Sequence, residues 1–591
     1  MPGFIIHIGK EPLSFAPETR KSLVVDSLNG DGFCIERRVV NKFMNDRLFY
    51  EDDAFFVVIE GVVLNNHDLV KQYNADGWKD CVERMYRQKG ETFYNEFRGS
   101  FSGALFDKAS HMWLIFTDHV GDKQIFYSKT QNGYLIGSEM GFIVETRKQN
   151  QLPVSIDEVG CYMSLTQGFC IEDRTLVSEI RRLFPGHYLK IDDTGIEERQ
   201  YHRFNNNPNE RLTLDDAVDG IDVLFRQAIK RAYDKDCEYG FRHIACLSGG
   251  LDSRMTVWVG DQSGYSDQLN LTYSQSGCLD FSVAQQIAID LHHDWLFKPL
   301  DGGDCIRDID DVSRITYGSS NFFGLAHGRS MEKLINYDSF GVIHTGQLGD
   351  VIIGSYLNKL ESNANHNIGD GAYSQEVIDR LIGYKERYSY ENKEVFIMYN
   401  RGFCGIGQGL LTFQENSESY SPFMDVDFFE FCYSIPLKWR LNHKIYFDWI
   451  LKKYPEAAEY VWEHTGNKIC AFENIEPKYM QIPGKRIPAF GDPEFLIWLK
   501  GLILRRLGLR KKGQKASTVV MSNKFSMNPV DYWYRTNPKL KAFMDDYWEV
   551  NYQLIPEGRL RDDMLHLYKD CVLYEKLQSL SVLSAMKLIL S

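Results

Sequence analysis

The sequence predicts an α+β region of layered antiparallel sheets, then a parallel α/β region, then a mostly helical extension. Three observations lead there. Residues 1 to about 200 read as short apolar strands separated by turn residues. From about 210 to 480, short strands alternate with longer segments of helical period. One of those strands, Ile244-Ala245-Cys246-Leu247, runs straight into Ser248-Gly249-Gly250-Leu251-Asp252-Ser253 and a helix-like stretch from Arg254 to Gly260.

In the first region the strand candidates are Phe4 to Ile8, Phe55 to Ile59, Gly103 to Phe106 and Trp113 to Phe116. Asp76-Gly77, Asn132-Gly133 and Pro185-Gly186 mark turns, and one helix is expected from Trp78 to Gln88. In the second region, Leu214 to Asp234 and Phe281 to Leu291 read as helices. His243 to Leu247, Leu269 to Tyr273 and Gly341 to His344 read as strands. Such alternation implies parallel strands with crossover helices, and ligands then sit at the carboxyl ends of the strands. The glycines of Cys404-Gly405-Ile406-Gly407-Gln408-Gly409 miss the dinucleotide spacing, so this stretch is expected to be a loop. These shifts divide the chain at 1–205, 206–485 and 486–591. In the last part, an apolar run from Phe495 becomes basic by Arg510-Lys511-Lys512. It reads first as a packed helix with a solvated basic end; the sharper alternative is peripheral contact of 495–515 with an acidic membrane or an acidic substrate.

The Ser248 loop carries the chemistry. Two glycines let the backbone turn tightly and bring N–H groups close to a phosphate. The helix that follows aims its unpaired N–H groups and positive dipole end at the same anion. Ser248 and Ser253 offer hydroxyls, and Asp252 can hold Mg²⁺ against phosphate oxygens. No G-K-[ST] follows, which separates this loop from the Walker type. The expectation is a site for ATP and Mg²⁺ that releases pyrophosphate and transfers AMP.

Composition limits the alternatives. In 591 residues, 81 acidic against 67 basic side chains give a net charge of −14, so general nucleic-acid binding is not expected. Twelve scattered cysteines without C-x-x-C suggest neither a zinc ribbon nor a disulfide framework, and point to a reducing, cytoplasmic setting. No signal peptide or run of about eighteen apolar residues is expected to anchor the chain.

Taken together these residues resemble the glutamine-dependent asparagine synthetase family over roughly residues 1 to 470. The S-G-G-L-D-S loop matches that family letter for letter. Asp280, Ala284, Ala288 and Leu291 follow its D-x-x-x-A-x-x-x-A-x-x-L helix. Thr345-Gly346-Gln347-Leu348-Gly349-Asp350, with Gly354 and Tyr356, is similar to S-G-E-G-x-D-E-x-x-x-G-Y. Glu418, Pro422-Phe423-Met424-Asp425 and Ile435-Pro436 resemble the E-x-R-x-P-F-L-D segment. Earlier, Phe97-Arg98-Gly99-Ser100-Phe101, then Asp118, Gly121, Lys123 and Tyr127, then Ser138-Glu139 and Pro185-Gly186-His187, fall in register. The resemblance implies an Ntn-type glutaminase-like first domain and a PP-loop, adenine-nucleotide α-hydrolase-like second domain. It implies that Leu247, Ser248, Gly249, Gly250, Asp252, Ser253, Thr345 and Gly346 surround ATP and that Asp252 and Asp350 share Mg²⁺. It also implies that Lys468 steadies charge on the α-phosphate. Two carboxylates converging beside a phosphate would repel without a cation between them, which supports the metal on charge grounds.

The pattern breaks in places. The family's first domain uses an N-terminal cysteine to free ammonia from glutamine; here Met1 is followed by Pro2. Its N-G-E appears as Glu60-Gly61-Val62, and Trp78 stands where an aspartate is expected. A dead glutaminase is the expectation. In the second domain Gln347 replaces a glutamate and Val351 the second acid of a D-E pair; Gln347 can hydrogen-bond an amine or acyl-adenylate but cannot act as a base. The implied activity is an ATP-dependent, AMP-forming amide ligase joining a small-molecule, peptide or sugar acid to ammonia or another amine. Relatives lacking the cysteine include β-lactam-closing enzymes and lasso-peptide cyclases. A surface-polysaccharide-modifying ligase, a non-catalytic binding homologue and a homodimer remain open.

Overall fold

The computed structural model describes residues 2–20, 22–355, 365–471 and 524–591, with backbone alone at 479–482 and 485–488. Tyr356 and the run from Phe495 to Lys512, with the peripheral contact expected of it, lie outside the described residues.

Two six-stranded antiparallel sheets build the first region. One orders Arg181–Arg182, Phe126–Lys129, Gly133–Gly137, Gly3–Gly9, Phe33–Val40 and Leu23–Gly30. The other orders Gly195–Gln200, His187–Asp192, Met112–Thr117, Gly99–Asp107, Phe55–Val63 and Leu48–Glu51. The strand Phe55–Val63 shows why they stack. All nine of its residues are buried. Phe55, Val57 and Ile59 face Val82 and Met85 of the helix Trp78–Lys89, whereas Phe56 and Val58 face Phe4, Ile6 and Ile35 of the other sheet. The period of two divides one apolar strand between two cores. This strand runs four residues past its expected end, so Glu60-Gly61-Val62 lies inside it.

The second region is a five-stranded parallel sheet ordered Asp294–Pro299, Gln268–Ser274, Arg242–Cys246, Phe340–His344 and Ser419–Tyr420. Its long helix Leu214–Tyr239 starts at a capping box in which Thr213 and Asp216 satisfy each other's backbone, and stops at Gly240 with φ 69°. The stretch expected as a loop at 404–409 is instead helical: a π-helix Met398–Gly405 passes into a 3₁₀ helix Ile406–Thr412. Phe403, Cys404, Leu410 and Leu411 are buried from these turns, and that packing overrides the glycines. A Cβ on Gly405 would lie 2.6 Å from the Phe169 ring, so the turn seats directly on the first region.

The C-terminal helices are core, not appendage. Trp533, Trp548, Leu580 and Leu583 share one buried cluster with Ile5, Leu135 and Ile143 near the chain's start. Leu573–Leu590 also packs on the helices Glu158–Gln167 and Ile309–Thr316. Leu583→Ala is expected to cost about 2–5 kcal/mol, read as a lowered denaturant midpoint at unchanged slope. No helix among the described residues is long and apolar enough to cross a membrane.

Candidate nucleotide site

The helix after the Gly-Gly turn begins at Leu251, three residues earlier than its apolar pattern suggests, so Asp252 and Ser253 sit in its first turn. Gly250 N–H donates to Ser248 Oγ at 3.1 Å, Ser248 N–H donates to Ser253 Oγ at 3.0 Å, and the two hydroxyls are 3.0 Å apart. Leu247 is pinned from both sides: its N–H donates to Leu271 O, and its carbonyl accepts from the Thr272 hydroxyl at 2.7 Å. Gly249 N–H donates to Asp280 Oδ1 at 3.3 Å. Arg254, fully buried, donates to the carbonyls of Gly249, Ala457, Tyr460 and Val461, tying a distant hairpin to the loop.

The adjacent strand Phe340–His344 delivers Thr345-Gly346-Gln347 to the same edge. Thr345 N–H donates to Tyr420 O, and Thr345 O accepts from the Thr256 hydroxyl. Gly346 has to be glycine, because a Cβ there would lie 2.3 Å from Ser253 N. Asp350 N–H donates to Asp252 Oδ2 at 3.0 Å, and the Tyr446 hydroxyl donates to Asp252 Oδ1 at 2.7 Å.

These residues open onto a cavity of 620 Å³. Its charge is one-sided. Asp252, Asp280, Asp350 and Glu463 line it, with no lysine or arginine among the described lining residues. Burial, then the neighbouring Asp350, pushes the Asp252 carboxyl well above the carboxylate range. Burial, then Asp280, pushes Glu463 up to about 7. A divalent cation fits here: paired carboxyls at the helix start, one pushed up for want of a counter-charge, are the donors Mg²⁺ takes beside phosphate.

The structure brings Leu247, Ser248, Gly250, Asp252, Ser253, Thr345, Gly346, Gln347 and Asp350 to one cavity. Gly249 supports it from behind. Gln347 has its amide committed, Nε2 donating to Ile406 O at 2.6 Å. Lys468 is not brought there. It sits on the short hairpin of Val461–Trp462 with Asn467–Lys468, turned outward, half exposed and paired with Glu459 at 2.6 Å. The same hairpin instead sends Trp462 and Glu463 into the cavity. Glu463, Tyr446 and His443 were not singled out from the sequence; no spacing signal marks them, because they lie far along the chain from the loop they face.

Residues 41–202 match the glutamine amidotransferase domain family. The chain is 24% identical over 279 residues to asparagine synthetase [glutamine-hydrolyzing] 2 of Bacillus subtilis, covering 44% of this chain and 37% of that protein. It is 23% identical over 336 residues to asparagine synthetase B of Escherichia coli, covering 52% and 54%. Over the stretches matched, the chain is similar to glutamine-hydrolysing asparagine synthetases. Amidase chyE of Penicillium rubens, 25% identical over 215 residues, covers 34% of this chain and 30% of that protein. The matches span between about a third and a half of these relatives' own lengths.

The region similar to the glutamine amidotransferase family is tied to the parallel sheet by buried charge. Glu418 accepts from Arg47 at 2.5 Å and pairs with Lys123 at 2.6 Å, all three buried. Asp118 holds the turn that presents Lys123, accepting backbone N–H groups of Val120, Asp122 and Lys123. Glu60 is buried 3.4 Å from Arg47 Nε, with no hydrogen bond to either oxygen. Trp78 is buried and donates its indole N–H to Asp46 O.

Proposed function

We propose that the chain is an ATP-dependent amide ligase that forms AMP and pyrophosphate and takes its nitrogen from ammonia or another amine. The observation that carries this is the cavity built from S-G-G-L-D-S and Thr345-Gly346 at the carboxyl ends of a parallel sheet, with Asp252 and Asp350 side by side. ATP is the substrate; a carboxylate oxygen attacks its α-phosphorus, the bond to the bridging oxygen breaks, and pyrophosphate leaves. An amine then attacks the acyl carbon, AMP leaves, and the nitrogen gives up a proton. Mg²⁺, held by Asp252 and Asp350, would neutralise the phosphate charge that four lining carboxyls would otherwise repel. The loop's hydroxyls and the helix start position the phosphates; the Tyr446 hydroxyl and Asp350 N–H orient Asp252.

Glutamine is not the nitrogen source in this reading. The four thiols of the first 205 residues, Cys34, Cys81, Cys161 and Cys170, are all buried. Burial pushes each up, Cys81 to about 11 and Cys170 to about 12, so none is poised as a thiolate. Purified protein with Mg-ATP and an acid panel is expected to release pyrophosphate with ammonium and not with glutamine. Equal release with glutamine would overturn the nitrogen assignment. One observation favours a second reading, nucleotide binding without chemistry: no described lysine or arginine faces the phosphate position. ATP binding with no pyrophosphate release under any acid and amine would select it.

A further inference from the structure

A second cavity, of 310 Å³, opens beside the first and shares Tyr273, His327, Gln347 and Phe413 with it. We propose that this cavity receives the body of the acid substrate and that this body is uncharged and at least partly aromatic, unlike aspartate. The inference rests on the ligase reading above and names the substrate class of that same site.

The lining carries the argument. Phe169, Tyr273, Leu325, Tyr373, Ile406 and Phe413 supply apolar and ring surface, and Ser320, Asn321, Gln347 and Thr412 supply neutral hydrogen-bonding groups. Among the described lining residues there is no Asp, Glu, Lys or Arg. The single titratable side chain besides the tyrosines, His327, is half-buried, and desolvation pushes it down to about 4, so it is neutral at physiological pH. Arg401 stacks on the Tyr373 ring at 4.3 Å and donates to Gly371 O, but does not line the cavity.

An aspartate lodged in this chamber would set an ammonium and a carboxylate against a lining that, among the described residues, offers no opposite charge. Charges removed from water without partners are strongly disfavoured. A flat or branched neutral body instead replaces water on ring surface. At the ~30 Å³ that a water molecule takes in the liquid, the chamber has the volume of about ten waters. The walls are also firmly held. Asn321 donates to Gly168 O and accepts from Gly324 N–H, and Tyr574 of the C-terminal helix lies against both Tyr373 and Phe323. The C-terminal extension therefore braces the chamber that selects the acid.

The test is binding, separate from turnover. The full chain is titrated with 3-phenylpropionate, 4-hydroxyphenylacetate and L-aspartate, each with a non-hydrolysable Mg-ATP analogue present, by ligand-observed NMR. At least one aryl acid is expected to bind tenfold or more tighter than L-aspartate. Gly328→Leu, which adds bulk to the lining beside Thr412, is expected to weaken that binding tenfold while leaving the ATP analogue's affinity unchanged. L-aspartate binding as tightly as either aryl acid, or no binding by any of the three, overturns the inference. Aryl-acid binding that never leads to pyrophosphate release with any amine supports the chamber and overturns the ligase reading instead.

Discussion

Asp252→Asn is expected to lower pyrophosphate release by at least about 10²-fold, the loss typical of removing one group that stabilises transition-state charge. The change is nearly isosteric. The amide oxygen can still accept from Asp350 N–H or from the Tyr446 hydroxyl, the two donors that now hold the carboxylate. What goes is the negative charge that would hold Mg²⁺. The Tyr446 hydroxyl can accept from the new amide N–H₂ in place of donating, so the site stays satisfied without the charge. The variant is therefore expected to keep its thermal midpoint while losing activity. Activity within threefold of the parent would show that Asp252 is not the metal's ligand and would move that role to the other lining acids.

Glu60→Gln is expected to stabilise the protein at pH 8 and to leave it unchanged at pH 4. Burial, ahead of the opposing pull of Arg47 and Arg37, pushes the Glu60 carboxyl up to about 7. Arg47 does not bond it, because its terminal nitrogens are taken by Val40 O and Glu418. Between the ordinary glutamate range and pH 7 the folded chain keeps a proton that the unfolded chain has released. Stability from this group is therefore lost as pH rises through that window, to a total of about 3 kcal/mol by pH 8. Glutamine, neutral throughout, escapes that loss. Urea unfolding at both pH values reads the difference directly; a Glu60→Gln variant less stable at pH 8 would mean that the arginines hold Glu60 ionised.

How much of this was legible follows from what is local. The Gly-Gly turn, its strand and its helix are contiguous, so their layout could be read directly, and the loop landed where strand–helix alternation said it would. Thr345, Gly346 and Asp350 were legible through family resemblance and proved adjacent. Lys468 was not, because spacing cannot say which face of a two-residue hairpin turns outward; its neighbour Glu463 took the inward position. The helical turn at 404–409 was missed because glycines argue for a loop until Phe403 and Leu410 find a core to enter. The neutral second chamber was invisible in the sequence. Its walls come from Phe169, Tyr273, Asn321, Tyr373 and Thr412, which no periodicity links.

The burial of Trp533, Trp548 and Leu583 with Ile5, Leu135 and Ile143 has a consequence for how the protein can change over time. Chain beginning and chain end complete a single hydrophobic cluster, and Glu418 answers charges from Arg47 and Lys123 across the middle. A segment in that position cannot be deleted without exposing the tail helices and stranding a buried acid. Whatever chemistry the amidotransferase-like layer carries, it is also a foundation for the tail helices and the sheet edge packed on it.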